Sequence, residues 1–255
     1  MKLKNKVALV TGASRGIGAA IARAFSSEGV FVVVNYLNND AAAAQVVEQC
    51  TALGGDAWAV RADVMDSPAV REMVEQILAE TGRIDIVVNN ALRAYRFNPD
   101  QRHRFQELEW SAYDEQFNGA VRSACNVCQA VVPHMRQRAA GSIINIATDL
   151  VEHPVVPYHD YATAKAALVG FSRHLAADLG PSGIRVNCVA PGLVWPTDAS
   201  RETRESIREQ LAQQTPLRRV ATPEDVTGPV MFLASEWSRF MTGQVLYVDG
   251  GLVMR

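Results

Sequence analysis

Val7-Ala8-Leu9-Val10-Thr11-Gly12-Ala13-Ser14-Arg15-Gly16-Ile17-Gly18 is the stretch that decides the fold. Its first four residues form a short apolar run, suited to a strand buried on both faces. A glycine-rich turn follows at once, and residues 19–27 beyond it have the alanine-rich composition of a helix, closed by Gly29. Strand, glycine turn and helix in that order bring backbone close to a pyrophosphate and aim a helix N-terminus at its charge, so the stretch predicts a dinucleotide site. The spacing Gly-x-x-x-Gly-x-Gly is not the Gly-x-Gly-x-x-Gly fingerprint, and the prediction rests on the flanking strand and helix.

The same alternation continues along the chain. Residues 7–10, 30–35, 57–61, 84–89, 142–147, 185–190 and 244–248 read as strands, and helical patterns lie between them at 15–27, 40–53, 67–81, 110–138, 161–179 and 223–235. Such alternation predicts an α/β fold with a doubly wound parallel sheet of Rossmann type, covered on both faces. No repeat or interdomain linker interrupts it, so residues 1–255 are expected to form a single domain. Two stretches break the rhythm, 92–109 and 192–216. Both follow strand C-terminal ends, where ligands sit in such sheets.

Tyr161-Ala162-Thr163-Ala164-Lys165 opens the helical pattern at 161–179. Residues i and i+4 share a helix face, so the Tyr161 hydroxyl and Lys165 ammonium can occupy one small volume. A tyrosine pKa near 10 is too high for acid–base work at neutral pH, and a neighbouring cation is expected to lower it. Alone the pair also fits an exposed helix surface; the glycine turn before it gives it weight.

Thr11-Gly-x-x-x-Gly-x-Gly18, Asn89-Asn90-Ala91, Tyr161-x-x-x-Lys165 and Pro191-Gly192 stand in the order and spacing of the short-chain dehydrogenase/reductase family, which the chain resembles from about residue 4 to residue 251. Its style is similar to the 3-oxoacyl-(acyl-carrier-protein) reductase branch. The resemblance implies a nicotinamide cofactor. Gly12, Ser14, Arg15, Gly16, Ile17 and Gly18 would form its phosphate turn, Asp63 and Val64 would meet the adenine, Asn90 and Ala91 the ribose, and Pro191, Gly192 and Val194 the carboxamide. NAD-preferring members place an acid at the end of the second strand; that position is read here as the neutral Asn35, while Arg15 offers a guanidinium to a 2′-phosphate. NADP(H) is therefore expected in preference to NAD(H), with Asp40 read as a helix cap.

The family also carries a serine thirteen residues before the tyrosine, a position held here by Thr148, whose hydroxyl has the same donor and acceptor capacity. Thr148, Tyr161 and Lys165 are thus the expected catalytic group, and Asp149 reads as a turn residue. Two departures stand out. Leu92 replaces the glycine that normally follows Asn-Asn-Ala, and Ala120 holds the place of the asparagine that completes the family's proton relay. Asn118 lies two residues earlier, about 200° around a helix, and should face away.

A formal net charge of −2 gives no general attraction to nucleic acid or to an anionic membrane. No apolar run reaches the length of a membrane span. Cys50, Cys125, Cys128 and Cys188 suit a reducing cytoplasm, and Cys125-x-x-Cys128 lacks the second pair that a metal site needs, so no metal is expected. Tyr158, His159 and Trp195 are the expected pocket walls. Arg93, Arg96, Arg102, His103 and Arg104 form a basic loop that could receive an acidic carrier, or equally a solvated or intersubunit loop. Val121, Val127, Val131, Phe171 and Leu175 exceed one core-facing stripe, and with the family's two-fold interfaces they suggest a homotetramer. Three functions remain open: an NADPH-dependent reductase of a small or carrier-bound carbonyl, an alcohol or sugar dehydrogenase on the same scaffold, and a nucleotide-binding sensor with little turnover.

Overall fold

In the computed structural model, which describes residues 3–254, seven strands make one parallel sheet. They are β1 (Val7–Val10), β2 (Phe31–Tyr36), β3 (Ala57–Arg61), β4 (Ile86–Asn89), β5 (Gly141–Ile146), β6 (Ile184–Pro191) and β7 (Val245–Val248), in the spatial order β3-β2-β1-β4-β5-β6-β7. The order reverses between β1 and β4, which creates the switch-point crevice at which doubly wound sheets bind ligands.

Strand pleating sorts the apolar residues between two layers. Ala8, Val10, Val32 and Val34 pack beneath α1 (Gly16–Ser27), α2 (Asp40–Ala52) and α8 (Pro223–Ala234), while Val7, Leu9, Val33 and Val87 face α3 (Ser67–Thr81), α5 (Ser123–Arg138) and α6 (His159–Leu179). With both faces covered, the strands can be apolar throughout, and β1 and β4 are buried along their whole length.

Three features differ from the sequence reading. The helix expected at 110–138 is broken: α4 (Trp110–Phe117) passes through a π turn at Asn118–Arg122 before α5 resumes. The Asn118 carbonyl there accepts both the backbone N–H and the hydroxyl of Ser123 (3.0 Å). π turns of this kind often mark functional segments. Next, α6 starts at His159, two residues early, whereas the charged stretch 201–214 after β6, which reads as helical in the sequence, does hold a short helix, α7 (Glu205–Gln214). Finally, Val127 and Val131 are fully buried in the core, so these two do not supply a spare subunit surface, while Phe171 and Leu175 pack against it only partly buried. Among the described residues, no helix is long and apolar enough to cross a membrane.

Candidate active site

The glycine turn is fixed to the end of β4 by a dense set of bonds. The Thr11 hydroxyl accepts the N–H groups of Asn90 and Ala91 (both 3.0 Å), and the Asn90 amide donates to the carbonyls of Thr11 (2.9 Å) and Gly12 (3.1 Å). This closeness explains two glycines. Gly12 has φ +61°, and a Cβ there would lie 2.9 Å from Ala91 Cα; a Cβ on Gly18 would sit 2.5 Å from the Asn90 amide nitrogen. The result is a cradle open to a phosphate at the N-terminus of α1. Gly12, Ser14, Arg15, Gly16 and Ile17 line it, and Gly18 supports it from behind.

Asn35 is used differently from the sequence reading. It is 2% exposed, its amide donates to the carbonyls of Ala62 (3.1 Å) and Val60 (3.4 Å), and its oxygen accepts the Gly12 N–H (3.3 Å). It is a brace between the glycine turn, β2 and β3. The residues that carry the cleft wall outward from it are Tyr36, Leu37, Asn38 and Asn39, all uncharged. Asn39 caps α2, accepting the Ala42 N–H at 2.9 Å, so Asp40 begins the helix instead of capping it. Asp63 and Val64 line the cleft beyond β3; the Asp63 carboxylate accepts the Met65 N–H (2.9 Å), and Asn126 of α5 holds the Val64 carbonyl (3.0 Å). Arg15 is paired with Asp198 at 2.7 Å, a contact from the glycine turn to the segment after β6. Pro191, Gly192 and Val194 form the opposite wall, with the Gly192 N–H on the Val248 carbonyl (3.2 Å) and the Val194 carbonyl accepting the Ser200 hydroxyl (2.7 Å).

Thr148, Tyr161 and Lys165 converge on the same cleft, all under 8% exposed. The i, i+4 spacing does place tyrosine and lysine on one face, but the expected charge coupling is not the dominant effect. Lys165 Nζ donates to the Ile146 carbonyl at 2.6 Å and lies 5.9 Å from the centre of the Tyr161 ring. Burial lowers the lysine pKa to about 8 and raises that of the tyrosine. The Thr148 hydroxyl opposes that rise, and the negative charge of Asp149 adds to it.

The loop after β4 covers this group. Tyr95 stacks on the Tyr161 ring (centroids 5.0 Å apart, planes at 30°), Phe97 meets its edge at 5.1 Å, and both pack on Tyr158. The Tyr95 hydroxyl donates to Asp160 (2.9 Å), and burial raises its pKa well beyond the usual phenol range. The segment after β6 clasps the loop: the Phe97 N–H donates to the Ala199 carbonyl (2.8 Å), the Thr203 hydroxyl to the Phe97 carbonyl (3.0 Å), and Arg96–Glu202 and Arg204–Asp100 pair across the seam. Arg93 is held by Glu115. Two of the loop's five basic residues, Arg93 and Arg96, are therefore matched by acids within the chain. Leu92 lines the cleft, 37% exposed.

Of the three expected walls only Tyr158 lines the main cleft, whose volume is about 1100 Å³. His159 borders a smaller neighbouring cavity, and Trp195 lies beneath the Arg208 guanidinium, 4.0 Å from its ring centre. Asn118 stays outside the cleft, its side chain 3.5 Å from Arg122, although the π turn breaks the regular helix on which that expectation was built; Gly119 and Ser123 line the cleft instead, and Ala120 is buried. Cys128 is fully buried with its thiol pKa raised to about 12, all four cysteines are free, and the described residues hold no cluster suited to a metal. Sequence reasoning missed the stacking of Tyr95 and Phe97, the pairing of Asp198, and the burial of Asp149. The only available signals were two aromatic residues in a loop at a strand end and an acid next to the expected hydroxyl.

A family model described as enoyl-(acyl carrier protein) reductase matches residues 12–253. The 3-oxoacyl-(acyl-carrier-protein) reductase of Chlamydia trachomatis serovar D is 38% identical over 253 residues, covering 98% of each chain. That of Staphylococcus epidermidis is 34% identical over 250 residues, covering 98% of this chain and all of its own length. A solved short-chain dehydrogenase/reductase from Serratia marcescens superposes with a TM-score of 0.88 at 34% identity, over 99% of both chains.

Proposed function

Because the chain belongs to the short-chain dehydrogenase/reductase family, we propose that it reduces 3-oxoacyl or related ketones with NADPH, as one catalytic unit acting in the cytoplasm. Membership makes it an oxidoreductase of C=O and CH–OH groups that uses a nicotinamide cofactor. The observation that carries the finer reading is the convergence of Thr148, Tyr161 and Lys165 in one cleft continuous with the glycine cradle.

The cradle fits a dinucleotide, since the space that a Cβ at Gly12 or Gly18 would enter is taken by the β4 end and the mouth is left to backbone. Gly12, Ser14, Gly16 and Ile17 would hold the pyrophosphate, Asp63 and Val64 the adenine, Asn90 and Ala91 the ribose, with Pro191, Gly192 and Val194 at the nicotinamide end. Preference for the 2′-phosphate form is supported by an uncharged wall at Tyr36–Asn39 and by Arg15 at the rim. When bound, the reduced cofactor supplies hydride to the carbonyl carbon. Thr148 and Tyr161 then hold the carbonyl oxygen between two hydroxyls, and Tyr161 releases its proton to that oxygen as negative charge develops. Lys165 supplies a buried positive charge beside the ring and would hold the nicotinamide ribose. Tyr95 and Phe97 exclude water from the reacting face. The substrate reaches the cleft free or on a carrier.

Tyr161→Phe tests the assignment, because it keeps the ring packed against Tyr95 while removing the proton. Reduction should fall by about 10²–10⁴-fold, with NADPH binding by fluorescence preserved. Near-normal turnover in this variant would overturn the mechanism.

A further inference from the structure

Arg15 is the cation that the cofactor reading assigns to a 2′-phosphate, yet its guanidinium is already engaged. Nη1 lies 2.7 Å from Asp198 Oδ2, joining the glycine turn to the segment after β6 in the cleft that both residues line. The two elements also meet one residue earlier and later, since a Cβ on Gly16 would lie 3.7 Å from the Thr197 side chain. Asp198 is the fixed partner of the pair. The Thr197 N–H donates to the Ser200 hydroxyl (3.0 Å), that hydroxyl donates to the Val194 carbonyl (2.7 Å), and the Arg201 N–H donates to the Thr197 carbonyl (2.8 Å). Ser200, at the centre of this turn, is 1% exposed. Arg15 instead reaches out of the glycine turn with 66% of its side chain exposed.

We propose that Asp198 is a specificity-determining residue for the cofactor: by holding Arg15 it weakens binding of the 2′-phosphate form and narrows the preference for NADPH over NADH. The inference rests on the cofactor reading given above. A guanidinium carries five N–H donors in a fork, so Arg15 can serve a phosphate while one nitrogen stays on Asp198. A phosphate that shares Arg15 in this way meets a cation whose charge is already partly cancelled, and it is repelled by the carboxylate that cancels it. The 2′-hydroxyl of NADH is neutral and meets no such opposition. Asp198 therefore acts on one cofactor and leaves the other alone.

The rest of the segment supplies the rival account. It clasps the loop over Tyr161 through Ala199 and Thr203, so Asp198 could serve only to brace that clasp. The two roles differ in what they touch: a brace affects both cofactors alike, whereas a charge opposing a phosphate affects one. Arg201 also pairs with Asp198 and moderates its hold on Arg15. The Asp198 side chain is 39% exposed, so water and salt screen the pair, and its effect on binding is set at about two- to fivefold.

The experiment titrates NADPH and NADH separately into wild type, Asp198→Asn, Arg15→Ala and the double variant, reading cofactor fluorescence. Asp198→Asn should tighten NADPH by about two- to fivefold and leave NADH unchanged. Asp198→Ser should give the same shift, which guards against an effect of the new amide. The gain should vanish in the Arg15→Ala background, because it passes through Arg15. It should also fade in about 1 M salt, where charges are screened beyond about 3 Å, whereas the loss of a brace would persist. Equal changes for both cofactors, a weaker NADPH complex, or a gain that survives without Arg15 overturns the inference and leaves the 2′-phosphate reading standing. Equal losses of NADPH and NADH in Arg15→Ala overturn that reading, and the inference with it.

Discussion

Asn35→Asp changes one atom's chemistry and separates two accounts of the end of β2. If Asn35 faced the cofactor ribose, a carboxylate there would repel a 2′-phosphate and favour NADH at little cost to the fold. The structure gives it another task. Its amide nitrogen donates to two carbonyls, Ala62 at 3.1 Å and Val60 at 3.4 Å, at a site 2% exposed. A carboxylate would keep the Gly12 N–H but turn a negative oxygen toward both carbonyls. Two lost hydrogen bonds cost about 1 kcal/mol each, and an uncompensated buried charge brings the total to about 3–5 kcal/mol. Protonation relieves part of it, since the acid can again donate to one carbonyl, so the new carboxyl has a raised pKa in the folded state. The sign follows: the variant is least impaired at low pH and loses stability as pH rises through that folded value. Urea unfolding at pH 5 and pH 8 should therefore show a deficit that grows with pH, with the melting temperature down by about 10 °C at pH 8. A variant as stable as wild type at pH 8, with its preference moved to NADH, would refute the bracing role and restore the ribose assignment.

Leu37→Asp is the informative charge substitution for cofactor choice: Leu37 is 41% exposed on the cleft wall, and a carboxylate there should shift the ratio of kcat/KM values toward NADH by at least about tenfold. Arg15→Ala should weaken NADPH more than NADH, and equal losses for both would remove Arg15 from 2′-phosphate recognition. A homotetramer is expected at micromolar concentration. Trp110, Phe105, Trp237 and Phe240 are 68–100% exposed, more apolar surface than a monomer usually leaves in water, and a monomer by light scattering would contradict the assembly.

What the sequence made legible was local. A strand buried on both faces reads as an apolar run, and the glycine turn reads as a cluster between strand and helix, because both depend on neighbours within a few residues. The function of Asn35 depends on its partners in β3, some twenty-five residues away, and a rule about strand ends does not state which way a side chain points. Trp195 was placed correctly in the chain and wrongly in space: the turn into the following segment directs its ring to Arg208. Val127 and Val131 read as surplus apolar positions because the helix was taken to be regular, whereas a π turn just before them changes which stripe meets the sheet. Tyr95 and Phe97 were visible only as aromatic residues in a long loop, since stacking on α6 is a contact between segments with no common periodicity.

The π turn also decides which side chains reach the cleft. A regular helix over 110–138 would set Asn118 by counting alone, but a five-residue π turn interrupts that register at Asn118–Arg122. In the folded chain Asn118 lies beside Arg122, Gly119 allows Arg93 to approach, and Ser123 bonds back to the Asn118 carbonyl. The helix thus presents small side chains to the cleft and no amide. The polar side chains at the reacting end of the cleft therefore come from the turn after β5 and from α6, at Thr148, Tyr161 and Lys165. An amide restored at Ala120 would have to displace packed neighbours, since that position is 6% exposed, so the small residues of the π turn fix the polar set of the cleft as firmly as the hydroxyls themselves.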